Sequence, residues 1–175
     1  WLDTALVDGK VAHGAALVRG NVLDWPFRHG EGRFEAIAEL ADATLKFHHD
    51  WPEGHGISGT ARFVNVAMEV DLKGRIGGAQ INTVTGGIPN FGDAILELAV
   101  QGEGTGPALL GVLRESSLRR DFGSFMQNLT LTGRGTTQLD LHIPLEHHLG
   151  EPRVEGYVDI ERMDLHDPTW GLGFR

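Results

Sequence analysis

No cysteine occurs anywhere in the 175 residues, which removes disulfides, thiolate metal ligands and thiol nucleophiles together. It leaves the compartment open, because a cysteine-free chain is equally safe in oxidising and reducing surroundings. Positive charge is also scarce: 15 Lys and Arg stand against 24 Asp and Glu, for a formal charge of −9. Nucleic-acid binding needs clustered cations against phosphate, so that class is excluded. No basic run suggests a membrane-surface patch either. Long apolar runs are missing, none approaching the roughly 20 residues that a spanning helix needs. No signal peptide is visible. The chain begins at Trp1 and stops at Arg175 inside a strand-like stretch, so it is expected to be one piece, 1–175, of something longer.

What the chain has in quantity is glycine and two-residue periodicity. Its 25 glycines are about twice the usual share, and they fall between periodic runs, where hairpin turns need positive φ. Phe34, Ala36, Ala38 and Leu40 alternate with Arg33, Glu35, Ile37 and Glu39. The same beat runs through Ala43, Leu45 and Phe47, then Val66, Met68, Val70 and Leu72, then Leu96, Leu98 and Val100. It returns in Thr137, Leu139, Leu141 and Ile143, and again in Val154, Val158 and Ile160. Successive strand residues face opposite ways, so each segment has one apolar and one mostly polar face. The parity change at Ala41-Asp42 predicts a bulge, without which the second half of that strand would present the wrong face. Turns are expected near Trp51-Pro52-Glu53-Gly54, Lys73-Gly74 and Ile88-Pro89-Asn90-Phe91-Gly92, and a short helical turn over Trp1 to Leu6. The pattern predicts a mainly β chain, an antiparallel meander with turns about every 10 to 12 residues.

One segment breaks the beat. Pro107 suits a first helical position after Gly104-Thr105-Gly106, and Leu109, Leu110 and Leu113 recur at helical spacing. Leu118, Phe122, Phe125, Met126 and Leu129 lie on one face of a second helix, with Ser116-Ser117 dividing the two and offering an N-cap. A two-helix insert over about 106–128 is therefore expected.

No catalytic constellation emerges. His48-His49-Asp50 and Glu146-His147-His148 hold metal-ligand types, but adjacent histidines on extended chain point apart and both groups border Pro- and Gly-rich loops. Solvated loops, with no metal and no cofactor, are the expectation. Gly102-Glu-Gly-Thr-Gly106 lacks the Lys-Ser/Thr of a phosphate loop, and Asp121-Phe122-Gly123 lacks the other kinase elements. Glu69 and Asp71 read as a solvated strand face. Trp25 and Trp51 each precede a proline, and packing of loops on a sheet rim outweighs an aromatic platform for sugars.

The stretch Val18-Arg-Gly-Asn-Val-Leu-Asp-Trp-Pro-Phe27, followed by Gly32-Arg-Phe34 and Trp51-Pro52, resembles the AsmA-like proteins of the YhdP type. So do Gly106-Pro-Ala-Leu-Leu-Gly-Val-Leu-Arg-Glu-Ser-Ser-Leu118 and Leu139-Asp-Leu-His-Ile-Pro-Leu145. The resemblance covers roughly Trp1 to Gly156 and lies in the order and spacing of the motifs; Ser117 stands where the pattern has proline. It implies a very large envelope protein of Gram-negative bacteria, anchored in the inner membrane by an N-terminal helix outside this chain. It also implies that the sheet is long and curved into an open groove, an apolar trough that crosses the periplasm and moves phospholipid between the two membranes.

On this reading the chain is no enzyme, and its ligand is phospholipid or another acyl-chain molecule. The expected groove residues are Phe34, Leu40, Leu45, Phe47, Phe63, Met68, Val70, Leu96, Leu98, Leu139, Leu141, Ile143, Val158 and Ile160. Leu109, Leu110, Leu113, Leu118, Phe122, Phe125 and Met126 are expected to cap it. Two other classes compete: a structural spacer or interaction module of the envelope, whose cut edges would self-associate, and a histidine-based metal enzyme.

Overall fold

The alternating segments pair in sequence order. In chain order the elements are β1 (Leu6–Arg19), β2 (Arg33–Leu45), β3 (Gly54–Val64), β4 (Ala67–Ile76), β5 (Ala79–Ile88) and β6 (Ile95–Thr105). There follow α1 (Gly106–Glu115), β7 (Thr130–Leu131), β8 (Arg134–Pro144), β9 (Arg153–Glu161), β10 (Leu165–Asp167) and β11 (Leu172–Phe174). The computed structural model describes residues 5–47, 50–116, 119, 128–161, 165–167 and 172–174. Eight strands make one antiparallel sheet in the order β1-β2-β3-β4-β5-β6-β8-β9, and β11-β10-β7 make a smaller one. The large sheet is open, since β1 and β9 do not meet. It is the expected meander, not a closed barrel.

The parity change in β2 is a bulge: the pairing with β3 shifts between Leu40 and Ala43, and Asp42 takes φ 53°. That extra residue returns Ala43 and Leu45 to the face of Leu40. Two expectations need correction. Lys73-Gly74 is not a turn; β4 runs through it to Ile76 and reverses at Gly77-Gly78. Gly74 instead marks a close approach to β3, since a Cβ there would lie 3.1 Å from the His55 carbonyl oxygen and 3.1 Å from Ile57 Cα. The first strand, which the sequence marks over Val11 to Arg19, starts earlier, at Leu6. The turn expected over Trp1 to Leu6 therefore ends in strand, and its first four residues lie outside the described ones.

Of the two expected helices, α1 is present. Thr105 caps it, its Oγ1 accepting from the Ala108 N–H at 3.4 Å, with Pro107 in the first turn. Ser116 ends this helix as its C-cap, its N–H donating to the Leu113 carbonyl, and its own carbonyl accepts from the Arg119 N–H at 3.2 Å. The second helix, with Leu118, Phe122, Phe125 and Met126, falls outside the described residues. At the opposite end of the sheet the segment after β1 folds back through Phe27, which is 1% exposed. Asn65 fastens it: Oδ1 accepts from the Phe34 N–H at 2.8 Å and Nδ2 donates to the Phe27 and Gly32 carbonyls.

Candidate functional site

Residues directly opposed across a ladder share a face, so the register can be followed from strand to strand. One row runs Gly14, Ala38, Ala61, Val70, Gly86, Leu98, Leu141 and Val154. The next runs Val11, Leu40, Gly59, Leu72, Val84, Val100, Leu139 and Gly156. Each crosses all eight strands without one polar side chain. A third row links Ala36, Phe63, Met68 and Ile88, and continues on β6 and β8 with Leu96 opposite Ile143. These rows form one continuous apolar floor.

The floor is curled. A single cavity of about 280 Å³ is touched by Val11 of β1, Leu40 of β2 and Leu141 of β8. In a flat sheet β1 and β8 would lie about 29 Å apart, six spacings of about 4.8 Å. Only a cupped sheet lets one small cavity reach both. The lining is otherwise Ala5, Leu6, Ala38, Leu45, Phe47, Gly54, Ile57, Ala61, Phe63, Met68, Val70, Leu72, Val84, Leu96, Leu98 and Val100.

Of the residues singled out from the sequence, Leu40, Leu45, Phe47, Phe63, Met68, Val70, Leu96, Leu98 and Leu141 line this cavity. Ile143 and Leu139 lie on the same floor and pack in the hydrophobic cluster that includes Met68, Leu96 and Leu141 of that lining. Phe34 lies on the same face but at the rim, edge-on to Trp25 at 4.9 Å between ring centres. Val158 and Ile160 share the floor face on the open edge strand and are 41% and 43% exposed. Ile57, Leu72, Val84 and Val100 join the lining; Leu72 and Val100 continue alternations already visible in the sequence, and that was the signal for them.

Helix α1 sits at one end of the cup. Leu109 reaches within 3.4 Å of Cβ positions at Gly104 and Gly135, two floor positions that carry no side chain. Leu110 and Leu113 turn instead into a separate cluster with Leu129 and Leu131. From the same end, the β2–β3 connection lays Phe47 and Trp51 on the apolar floor, their rings 5.6 Å apart. Trp51 is 4% exposed, so it presents no platform to a sugar. Trp25 is the rim residue, packed edge-on to Phe27 and Phe34.

The opposite face is charged. Glu35 accepts from Arg33 Nε and Nη2 on one oxygen, at 2.9 and 2.6 Å, and from Arg62 Nε and Nη2 on the other, at 2.9 and 2.7 Å. Arg62 Nη1 also donates to Glu69 at 3.2 Å. The Arg33 fork, then the Arg62 fork, hold the Glu35 carboxyl below the ordinary glutamate range. A carboxylate with its folded pKa depressed stabilises the fold above the unfolded pKa, and that contribution fades as pH falls through the folded value. Glu35→Gln is thus expected to be slightly less stable than the parent near neutrality. The difference should vanish in acid below the glutamate range, read as melting temperature against pH.

His48 and His49 lie outside the described residues. His148 Nδ1 stands 3.3 Å from Glu146 on an exposed loop. Among the described residues no group of three or more His, Asp or Glu is placed to hold a metal ion, and no helix is long and apolar enough to cross a membrane.

Comparison with known proteins matches residues 1–175 to the family described as YhdP protein. The chain is 28% identical over 150 residues to the intermembrane phospholipid transporter YhdP of Escherichia coli strain K12. That alignment covers 85% of this chain and 12% of the relative. No solved structure is significantly similar.

Proposed function

The chain belongs to the YhdP protein family, and on that premise we propose that its cupped floor carries the acyl chains of phospholipid without catalysis. The observation that supports this reading most is the pair of rows that cross eight strands with no polar side chain. An apolar face of that extent needs a cover, and hydrocarbon is a cover that can slide. Ten methylenes laid on it contribute about 8 kcal/mol gross, against about 4–15 kcal/mol for lost freedom of the bound molecule. Net binding is then weak and exchangeable, which suits a conduit. The absence of any polar anchor along the rows favours chain recognition over headgroup recognition.

In this proposal the chain is one periplasmic segment of an inner-membrane-anchored protein, its anchor supplied by sequence outside 1–175. The groove residues named above are its working surface, with Leu109 closing one end. The open edges of β1 and β9 favour pairing with further strands and, in the isolated chain, self-association. The test is lipid capture: purified chain should carry co-purified phospholipid in native mass spectra and accept fluorescent phosphatidylethanolamine from vesicles. Delipidated protein that neither retains nor exchanges lipid would leave only the structural spacer, for which crosslinking should trap proteins and no lipid.

A further inference from the structure

We propose that Phe47 and Trp51 are an internal occupant of the groove, holding the place of one acyl chain and yielding it when lipid arrives; this rests on the lipid-groove reading above. Neither residue belongs to a strand. Both nevertheless pack on the floor, Phe47 lining the cavity and Trp51 within the cluster that contains Met68, Leu96 and Ile143. They cover floor that an acyl chain would otherwise cover.

Two physical features make that cover exchangeable. The first is area. Aromatic side chains bury about 150–250 Å² each, so the pair covers about 300–500 Å². One methylene accounts for about 32 Å² at the usual ratio of transfer energy to area. The two rings therefore match about 9–16 methylenes, comparable to a single fatty acyl chain. Replacing one by the other leaves the floor covered throughout. The second feature is polar. Trp51 Nε1 is buried with no hydrogen-bond partner, in a molecule where buried donors are almost always satisfied. A permanent core tryptophan would be expected to have an acceptor. This one regains an acceptor, from water or a lipid ester carbonyl, only by leaving. Lys46 Nζ donating to the Trp51 carbonyl at 2.6 Å holds the backbone near its site while the ring moves.

The test uses the whole 175-residue chain and vesicles of phosphatidylethanolamine and phosphatidylglycerol carrying a fluorescent phosphatidylethanolamine. Trp51→Ala should accelerate uptake about tenfold over the parent, because the floor is already vacated. Trp51→Phe keeps a ring and deletes the unsatisfied N–H, so it should slow uptake below the parent. Hydrogen exchange of amides at residues 50–54 in the unsubstituted chain should rise on lipid addition. The proposal is overturned if Trp51→Ala lowers uptake, which makes Trp51 a wall of the site, or if all three proteins take up lipid at one rate and exchange is unchanged. Uptake by none of them, Trp51→Ala included, would instead sink the groove reading itself.

Discussion

Gly59→Ala is expected to lower the unfolding free energy by about 3 kcal/mol or more, combining backbone strain with overpacking. Gly59 lies inside β3 at φ +140°, a conformation that L side chains rarely adopt. A Cβ there would collide with the Asp71 carbonyl oxygen and stand 2.9 Å from Leu72 Cα on β4. Both atoms belong to the ladder, so they cannot give way without breaking pairs. Gly156 repeats the arrangement in the same row at φ +156°, against the Gln138 carbonyl and 2.9 Å from Leu139 Cα. The two positions bring neighbouring strands close where the floor has to bend. Gly30→Ala is the control, with positive φ but no atom within 4 Å of its Cβ; it should cost only about 1–2 kcal/mol, the backbone part alone. Urea unfolding of both variants decides the matter: if Gly59→Ala falls within error of Gly30→Ala, the close strand approach is wrong.

The second large effect is on lipid. Ala38→Trp and Leu98→Asp are each expected to reduce phospholipid capture more than tenfold while preserving the β-sheet circular dichroism. Ala38 faces Gly14 and Ala61 in the small-residue end of its row, so an indole there fills the hollow without adding a charge. Leu98 lies in the same row between Gly86 and Leu141. A carboxylate in its place repels hydrocarbon, because burying an unpaired charge is far costlier than burying a methylene saves. The two substitutions act by opposite means, bulk and polarity, at one end and the middle of one row. Loss with both locates the ligand on this floor. Parent-level capture by Ala38→Trp, measured by native mass spectrometry, would place it elsewhere.

Much of this architecture was legible beforehand. Alternation at Phe34–Leu40 and Leu96–Val100 marks strands because only a period of two keeps one face dry. The parity slip at Ala41-Asp42 marks the bulge for the same reason. Lys73-Gly74 misled because glycine serves turns and close strand approaches alike, and nothing local separates them. Trp51 misled differently: a Trp-Pro pair signals a loop correctly, but not which surface the loop covers. Phe34 and Leu110 show the same limit, each apolar and correctly assigned to its element, one claimed by Trp25 and the other by Leu129.

By itself, then, the sequence determined the strands, their apolar faces, the first helix of the insert and the absence of thiol or phosphate-loop chemistry, since each follows from residue type at short range. The tertiary structure alone decided that the apolar faces form uninterrupted rows, that the sheet cups until β1 and β8 share a cavity, and that Phe47 and Trp51 lie on its floor. Register and curvature arise from pairs far apart in the chain, such as Gly59 with Leu72 and Leu139 with Gly156. Short-range periodicity carries no record of which partner a strand will meet or how closely.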